Sequence, residues 1–435
     1  MKRYSEYKDS GVKWIGEIPG HWDLLRAKNI FERQFRPVRD CDEVVTCFRD
    51  GQVTLRKNRR VEGFTESLKE IGYQGIRKGD LVIHQMDAFA GSIGVSDSDG
   101  KGTPVYICCL PKDSNNVNVY FYAYLLREMA RSGFIKSLYR GIRERSSDFR
   151  FDTFAVQWLL LVPIEEQQEI VTYLDSKVAK IDEYISIAEK KIAALEELKQ
   201  TIITEAVTRG IHKEVPMKDS GVKWIGMIPE HWKVLCLKYL SKIKGRIGYR
   251  GYTAADLVSE GEGAFVIGGK HINQCILNTE SPDYISWDKY YESPEIMVSK
   301  GDIVMAQRGS LGKVALIDKE INEATINPSL VLIKDICCDA SFLYFYLRSN
   351  STLTLIELLN TATAVPMISQ KQIEKMPIPL PPLPEQQEIV TYIEAKVAKI
   401  DQLCQAERSQ IEKLKEYKQR LISDVVTGKV KVTND

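Results

Sequence analysis

The sequence predicts an α+β protein with two mixed α/β domains, separated by two long helices that form an antiparallel coiled coil, and with an internal pseudo-two-fold repeat. Three observations predict this fold. A short motif occurs twice, a long helical segment occurs twice, and the segments between them contain short β-branched and aromatic runs broken by glycine. We expect a first domain over 1–162, a first helix over 163–210, a second domain over 211–381 and a second helix with its tail over 382–435.

The short motif lies near the start of each half of the chain. Residues 8–22 are KDSGVKWIGEIPGHW and residues 218–232 are KDSGVKWIGMIPEHW, so the copies differ only at Glu17/Met227 and Gly20/Glu230. The helical segment EQQEIVTYLDSKVAKID at 166–182 returns as EQQEIVTYIEAKVAKID at 385–401. Near-identical flanks around divergent centres indicate that the flanks share one task and the centres perform two related but different ones.

Apolar residues at three- and four-residue steps predict a coiled-coil seam in each long helix. Pro163 and Pro382–Pro384 suit the first turns of these helices, and Gly210 and Gly428 suit their ends. The seam residues are Leu174, Val178, Ile181, Ile185, Ala188, Ile192, Leu195, Ile202 and Ala206 in the first helix, and Ile393, Val397, Ile400, Cys404, Ile411, Leu414, Leu421 and Val425 in the second.

A seam this narrow needs one partner helix. Each helix could pack on its own domain, but we prefer that the two helices pack on each other. Antiparallel pairing would place one domain at each end of a rod, whereas parallel pairing would crowd both at one end. Lys199 and Lys418 interrupt the two seams at matching positions, where we expect the ammonium groups to reach water.

The composition is that of an ordinary globular protein: 44% of the 435 residues are hydrophobic and 27% are charged. We expect no membrane-spanning segment, because no run of about 18 apolar residues occurs. The N-terminus MKRYSEYKDSGVKW contains no apolar signal core, and we expect a cytoplasmic location. The nine cysteines include no Cys-x-x-Cys pair, which favours reduced thiols and no metal site. The net charge is +1, so any nucleic acid would bind at local patches.

Basic residues cluster at three places in the two variable regions. These clusters are RKNRR at 56–60, RSGFIKSLYRGIRERSSDFR at 131–150 and KIKGRIGYR at 242–250. Basic loops with interleaved glycine and aromatic residues suit a phosphate backbone, although a solvated charged face is the alternative in each case.

Motifs for catalysis are missing. The sequence has neither a Gly-x-x-x-x-Gly-Lys-Ser/Thr phosphate loop nor a His-Glu-x-x-His metal motif. Asn327-Pro328 is followed by Ser329-Leu330 rather than by the Pro-aromatic pair of amino-methyltransferases. Together with the duplication, these absences favour a recognition protein over an enzyme.

The two motif copies, with the proline-rich lead into EQQEI in both halves, resemble the specificity subunit of type I restriction–modification enzymes over essentially the whole chain. Thr363-Ala-Val-Pro366 followed by Ile368-Ser369 is similar to the family's usual domain ending, whereas Arg143–Arg150 occupies that stretch in the first half. The resemblance implies two target-recognition domains, each for one half of a split asymmetric target in double-stranded DNA. It also implies a helical spacer that docks two methyltransferase subunits, with motor–nuclease subunits joining through them.

The resemblance further implies a non-catalytic chain that binds no cofactor. S-adenosylmethionine would serve the partner methyltransferase, and ATP and magnesium would serve a nuclease subunit if one is present. Three rivals stay open: a single-chain DNA-modifying enzyme, a coiled-coil adaptor without DNA readout, and the specificity subunit of a methylation-only complex.

Lys78-Gly79-Asp80 and Lys300-Gly301-Asp302 each lead into a predicted strand, which we call the Lys-Gly-Asp strand. For DNA contacts we favour the turn after each Lys-Gly-Asp strand and the basic clusters, with surface or strand-packing roles as the alternative. We expect Trp14, Trp22, Trp224 and Trp232 to pack in cores, and His21 and His231 to be structural because no acid lies beside them in the sequence. The candidate DNA-binding residues are Lys57, Arg59, Gln85, Met86, Asp87, Arg143, Arg145, Ser146, Arg246, Tyr249, Arg250, Lys270, His271, Gln307, Arg308, Ser310, Lys313 and Thr363, with Arg143, Arg145 and Ser146 aligned to Ala362, Ala364 and Val365.

Overall fold

The computed structural model describes residues 2–59, 71–138, 149–212, 214–360 and 365–432. The chain forms two compact units: the first comprises residues 1–188 and 409–435, and the second comprises residues 189–408. Both long helices cross this division, so each unit contains one globular domain together with part of each helix.

The first half contains twelve strands and five helices. They are β1 (Tyr7–Asp9), β2 (Glu17–Pro19), β3 (Asp23–Arg26), α1 (Ala27–Ile30), β4 (Phe31–Gln34), β5 (Val45–Cys47), β6 (Val53–Leu55), β7 (Gln74–Ile76), β8 (Leu81–His84), β9 (Ile93–Val95), β10 (Gly100–Gly102), β11 (Tyr106–Pro111), α2 (Val119–Arg131), α3 (Phe134–Ser137), α4 (Phe151–Ala155), β12 (Trp158–Leu161) and α5 (Ile164–Arg209), counting described residues only.

The second half follows the same order with more strands. Its described elements are β13 (Met217–Asp219), β14 (Met227–Pro229), β15 (Lys233–Cys236), β16 (Lys242–Gly245), β17 (Leu257–Val258), β18 (Gly263–Ile267), β19 (Ile272–Asn273), β20 (Ile276–Leu277), β21 (Asp283–Ser286), α6 (Trp287–Tyr291), β22 (Ile303–Ala306), β23 (Val314–Leu316), β24 (Ala324–Ile326), β25 (Leu330–Lys334), α7 (Ala340–Leu347), α8 (Asn350–Leu359), α9 (Gln370–Glu374), β26 (Pro377–Leu380) and α10 (Leu383–Val426).

One four-stranded antiparallel sheet occurs in both units. In the first unit its order is β4-β11-β8-β9, and in the second it is β16-β25-β22-β23. Successive side chains of a strand point to opposite faces, so each sheet serves two cores. Leu81 and Ile83 of β8 pack in the core that contains α2, whereas Val82 packs with β5 and β6. The adjacent Cys108 and Cys109 of β11 divide between the two cores in the same way.

The second face of this sheet distinguishes the two units. In the first unit it is covered by the β5–β6 hairpin and the β7–β10 pair. In the second unit, Val304 and Ala306 of β22 pack against a further sheet of order β17-β21-β18-β24, in which β18 and β24 are parallel. The helix-bearing face is therefore common to both domains, and the other face carries different additions.

Each domain is closed by pairing between its first and last parts. Strand β3 pairs with β12 in the first unit, and β15 pairs with β26 in the second, both antiparallel. The repeated motif therefore lies against the chain that leads into each long helix.

The long helices pair with each other, as the seams predicted, and the pairing is antiparallel, as we expected from the position of the domains in the chain. Within the second unit, Lys199 of α5 is ion-paired with Asp401 of α10 at 2.7 Å, and Lys191 is ion-paired with Glu407. Residue numbers therefore rise along one helix as they fall along the other. Helix α5 ends at Arg209 and α10 at Val426, close to the predicted glycines, and Gly210 and Gly428 have φ of 75° and 74°. Glycine adopts this left-handed conformation without strain, which ends a helix.

Candidate nucleic-acid interface and repeated flanks

The repeated motif is anchored to the start of a long helix through one carboxylate. In the first unit, the Trp22 indole Nε1–H donates to Glu166 Oε2 at 3.1 Å, and His21 Nε2 lies 2.6 Å from Glu166 Oε1. The Tyr4 hydroxyl also donates to Glu166 Oε2, at 2.9 Å. Glu166 lies in the first turn of α5, where a negative charge is favoured by the helix dipole.

The second unit repeats this anchor. The Trp232 Nε1–H donates to Glu385 Oε1 at 3.1 Å, and His231 Nε2 lies 2.7 Å from Glu385 Oε2. Both tryptophans are fully buried, as expected. Each histidine has an acidic partner more than 140 residues away in the sequence, so the reason we gave for a structural role was wrong, and that role stays a prediction.

The glutamine after this glutamate fastens the helix to its own domain. Gln167 is buried, accepts the Asn118 N–H at 2.8 Å and donates to the Val162 carbonyl at 2.7 Å. Gln386 accepts the Asp339 N–H and donates to the Pro381 carbonyl, both at 2.8 Å. Two of the three residues in each Glu-Gln-Gln sequence thus have internal tasks that the sequence did not reveal.

Most exposed positions in the rest of the repeated helical segment carry the same residue in both copies; the exposed pairs that differ are Asp175/Glu394 and Ser176/Ala395. Because one helix turn takes 3.6 residues, the identical side chains spread over the exposed half of the helix circumference. Beyond 182 and 401 most exposed residues differ between the helices, for example Lys190 against Ser409, although Glu197 and Glu416 are identical. The exposed identical pairs within the segment are Gln168/Gln387, Glu169/Glu388, Thr172/Thr391, Lys177/Lys396, Ala179/Ala398, Lys180/Lys399 and Asp182/Asp401, and we call each set a repeated face.

The turn after the Lys-Gly-Asp strand contains candidate DNA contacts in the first unit. Gln85 directly follows β8, and its Nε2–H donates to the Pro104 carbonyl at 3.4 Å. Met86 is 47% exposed. Asp87 is ion-paired with Arg49 at 3.0 Å, so its carboxylate faces a cation.

The matching turn of the second unit is more basic. Gln307 donates to the Pro328 carbonyl at 3.0 Å, and Lys313 Nζ donates to the Gly269 carbonyl at 3.0 Å. Arg308 and Ser310 are exposed, and the Arg308 guanidinium lies 3.4 Å from the Met367 sulfur. Of this group, Arg308 and Ser310 are the side chains most open to an incoming ligand.

In the described part of the first basic cluster, Lys57 and Arg59 are exposed and ion-paired on the surface. Lys57 pairs with Glu43, and Arg59 pairs with Asp50 at 2.7 Å. The Arg59 guanidinium also lies 4.3 Å from the centroid of the Phe48 ring. Exposed ion pairs of this kind contribute little and exchange readily for phosphate contacts.

Arg246 and His271 face the interior of the second unit. Arg246 is 6% exposed, its Nη2–H donates to Thr325 Oγ1 at 3.2 Å, and burial lowers its pKa. His271 is 2% exposed, its Nδ1 accepts the Gly268 N–H at 2.9 Å, and burial lowers its pKa. DNA contact by either residue would require the side chain to leave these partners.

The remaining candidates divide between the surface and the undescribed segments. Lys270 is ion-paired with Asp283 at 2.8 Å, and Arg250 lies 3.5 Å from Glu295. Tyr249 belongs to a short 3-10 turn over Gly248–Arg250. Arg143, Arg145, Ser146 and Thr363 lie outside the described residues, and their assignment stays a prediction, as does that of the other candidates.

In the described parts of the chain, no three His, Cys, Asp or Glu side chains come together in a way that could hold a metal ion. A search of the same residues finds no helix with the length and apolar character that crossing a membrane requires.

The fold and its repeated flanks define a class of duplicated two-domain proteins, and comparison with known proteins shows what the chain is similar to. Residues 229–413 match the type I restriction modification DNA specificity domain. A protein of Methanocaldococcus jannaschii, assigned as the type I restriction enzyme MjaX specificity subunit, is 26% identical over 98% of both chains. The chain is thus similar to type I restriction–modification specificity subunits, over its second half by the domain match and over nearly its full length by the relative.

Solved structures share the fold. A chain from a study of complex assembly and conformational transition in a type I restriction–modification system aligns with a TM-score of 0.69 at 18% identity, over 94% of this chain and 98% of that one. The HsdS subunit of Thermoanaerobacter tengcongensis aligns with a TM-score of 0.52 at 18% identity, over 95% and 98% of the two chains.

Proposed function

We propose that this chain is the DNA sequence-specificity subunit of a type I restriction–modification complex. Each domain recognises one half of a bipartite, asymmetric target, and the helices with the repeated flanks hold two methyltransferase subunits. The family match supports the specificity role. The different additions on one sheet face support two different half-sites, because identical domains would recognise identical halves.

The observation that carries the docking part of the proposal is the repeated face. Buried residues such as Gln167 and Gln386 keep their identity for packing, but exposed residues have no such constraint. Exposed residues that stay identical in two otherwise diverged domains indicate one common ligand. Two copies of the same partner subunit, one on each repeated face, meet this requirement.

A charge reversal on each repeated face tests the docking. We expect Lys180→Glu or Lys399→Glu alone to reduce the methyltransferase content from two subunits to one, and the double variant to lose both. Native mass spectrometry of the complex measures this stoichiometry. Lys190→Glu is the matched control, because Lys190 is exposed on the same helix but aligns with Ser409. Two bound subunits in the double variant would contradict the assignment.

In this role the chain recognises the DNA sequence and catalyses no reaction itself. Adenine methylation from S-adenosylmethionine belongs to the partner subunit, and ATP- and magnesium-dependent cleavage belongs to motor–nuclease subunits where they are present. A cytoplasmic location follows from this role. A methylation-only complex would use the chain in the same way.

A coiled-coil adaptor without DNA readout is the remaining alternative. It accounts for α5 and α10 but assigns no task to the different additions in the two domains. Exchange of the first domain for that of another family member separates the two functions: we expect one half of the methylated sequence to change and the other to persist.

A further inference from the structure

A cavity of about 500 Å³ lies within the first unit, between α2, α5, α10 and the turn at 89–91. Two acidic side chains line it, Glu128 and Asp182, against five basic ones. The basic side chains are those of Arg49, Arg127, Arg131, Lys415 and Lys418. Four of them have a carboxylate partner, and the ion pairs are Arg49–Asp87, Arg131–Glu128, Lys415–Glu412 and Lys418–Asp182. The cavity is therefore a place of excess positive charge.

Arg127 is the basic residue of this cavity that lacks such a partner. It is half-buried, and in the described part of the chain its guanidinium has no hydrogen bond or ion pair. Asp50 and Asp182 attract it, but each is already bonded to another cation, Asp50 to Arg59 at 2.7 Å and Asp182 to Lys418 at 2.6 Å. Holding a cation away from water without a partner costs free energy, which a bound anion would offset.

The second domain keeps this arginine but satisfies it internally. The sequence Tyr124-Leu-Leu-Arg127 of α2 corresponds to Phe345-Tyr-Leu-Arg348 at the end of α7. The Arg348 Nη1–H donates to the Tyr344 hydroxyl at 2.7 Å. The residue that corresponds to Tyr344 in the first domain is Ala123, which has no hydroxyl. The first domain thus has the same charge without the acceptor.

The long helices differ between the two units in the same sense. The copies at 166–182 and 385–401 align the two helices, and the matched positions beside the arginine are Lys415/Glu196, Gln419/Gln200 and Ile422/Ile203. In the second unit, Gln200 Nε2–H donates to the Arg348 carbonyl at 2.6 Å, and Ile203 is fully buried. In the first unit, Gln419 is exposed and Ile422 is only partly buried. The place that is packed in the second unit is open in the first, and it has a lysine where the second unit has a glutamate.

The lining of the cavity fits a phosphate joined to an apolar group. Guanidinium and ammonium groups bind phosphate oxygens through strong charge-assisted hydrogen bonds. Phe89, Ala90, Ile185 and Ile422 give the cavity an apolar wall, which suits a planar group such as a base. The volume is within the range of cavities that bind small ligands and is larger than one phosphate group needs.

We propose that this cavity binds a small phosphate monoester with a planar apolar group, of the size of a nucleoside monophosphate, and that Arg127 holds its phosphate. The site goes beyond the proposed function, since it requires no particular DNA sequence. Asp182 belongs both to the cavity and to the repeated face, so the ligand would lie beside the surface proposed to hold a methyltransferase subunit.

Isothermal titration calorimetry of the full chain tests the site with three probes: adenosine monophosphate, adenosine and inorganic phosphate. We expect adenosine monophosphate to bind at a single site. Adenosine and inorganic phosphate should each bind about tenfold more weakly or less, because each makes only part of the contacts.

Two variants assign the binding to the cavity. Arg127→Met keeps the side-chain length and removes the charge, and we expect it to weaken adenosine monophosphate binding about tenfold or more. Its thermal unfolding midpoint should not fall, since Arg127 has no partner to lose. Lys415→Glu introduces the residue of the second unit at an exposed position and should weaken binding about threefold or more. Lys413→Glu is the matched control, because Lys413 is exposed on the same helix but does not line the cavity, and it should bind as the wild type does.

Wild-type affinity for adenosine monophosphate in Arg127→Met and Lys415→Glu would overturn the inference, as would the absence of binding to the wild-type chain. Equal affinity for adenosine monophosphate and for sulfate would show an adventitious ion only. Competition with random-sequence duplex DNA distinguishes the source of the phosphate. If the duplex displaces adenosine monophosphate and Arg127→Met weakens duplex binding by the same factor, the cavity holds a backbone phosphate of DNA, and its assignment to a small ligand is wrong.

Discussion

The two domains share one face of a sheet and differ on the other. In both, the face toward α2 or α7 joins the core that receives the repeated motif and the long helices. The opposite face receives a hairpin and a strand pair in the first domain, but a four-stranded sheet in the second. Change is therefore concentrated on the face that does not contact the common scaffold, which allows two recognition surfaces on one framework.

The same contrast appears in the Lys-Gly-Asp turn that precedes β8 and β22. Asp80 and Asp302 each accept a backbone N–H three residues earlier at 2.8 Å. Asp80 also accepts two hydrogen bonds from Arg36, at 2.5 and 3.1 Å, whereas Lys334 lies 3.5 Å from Asp302. Burial raises the pKa of Asp302. Both domains have this turn, but the basic residue beside the aspartate differs: it is Arg36 in the first domain and Lys334 in the second.

The largest effect on stability should come from removing the carboxylate charge of this aspartate. We expect Asp80→Asn to cost about 3–5 kcal/mol of unfolding free energy, because it leaves the Arg36 guanidinium without its partner. Asp302→Asn should cost only about 1 kcal/mol, since Lys334 lies 3.5 Å from the carboxylate and burial already disfavours its charge. Denaturant unfolding followed by domain-resolved hydrogen exchange measures both. Equal costs would show that the two turns are balanced alike.

Replacing the anchor glutamates, Glu166 and Glu385, should lower stability by amounts that differ less from each other. Glu166→Ala removes the acceptor of Trp22, His21 and Tyr4, whereas Glu385→Ala removes the acceptor of Trp232 and His231. We expect the free energy of unfolding to fall by about 3 kcal/mol in the first variant and by about 2 kcal/mol in the second. The first variant loses one further hydrogen bond to a charged group. Denaturant titration of each variant gives the comparison, and a larger cost for Glu385→Ala would refute it.

The seam lysines extend the comparison to the coiled coil. Lys199 is paired with Asp401 and its side chain is 12% exposed, whereas Lys418, paired with Asp182, is 27% exposed. Our expectation that these ammonium groups reach water omitted the partner carboxylates. Double-mutant cycles with alanine should give a coupling of about 1 kcal/mol for the first pair and about 0.5 kcal/mol for the second. The exposed pair Lys415–Glu412 within α10 serves as the control, and we expect a coupling energy of about 0.3 kcal/mol for it.

The smallest effect is the pH dependence that His271 gives to the stability of the second domain. Burial holds the pKa of His271 below its usual value near 6.5. As pH falls below about 6.5, the unfolded chain binds a proton that the folded state resists, so the stability of this domain should fall between that pH and the folded pKa. Nearby Lys270 lowers the pKa further, while Asp283 raises it. His271→Gln should flatten the profile measured by thermal unfolding from pH 7.5 to 5, and an unchanged slope would exclude His271 as its source.

The sequence predicted the repeat, the helix ends and the seam because each depends on residues close together in the chain. The spacing of apolar residues along the helices was enough to predict that Leu174 and Val425 are buried. The Glu166 anchor escaped prediction because its partners lie more than 140 residues away. A useful signal was present in the sequence. The Glu-Gln pair is identical in both copies, which indicates that it has equivalent hydrogen-bond partners in both domains.

The candidate DNA contacts could be predicted only in part. Sequence shows that Arg246 carries a charge but not that β16 turns it toward Thr325 and away from solvent. The same limit applies to His271, which lies between Lys270 and Ile272 in the chain and whose ring packs edge-to-face on Phe265 with centroids 5.1 Å apart. Exposure of one side chain depends on the packing of distant strands, which periodicity does not encode.

The central claim is that this chain gives a methyltransferase its target sequence. Long-read mapping of adenine methylation in cells that contain the partner methyltransferase, with and without this chain, tests it most directly. We predict a split asymmetric sequence that is methylated only when the chain is present. If no such sequence appears although the complex is shown to assemble, the specificity role is contradicted.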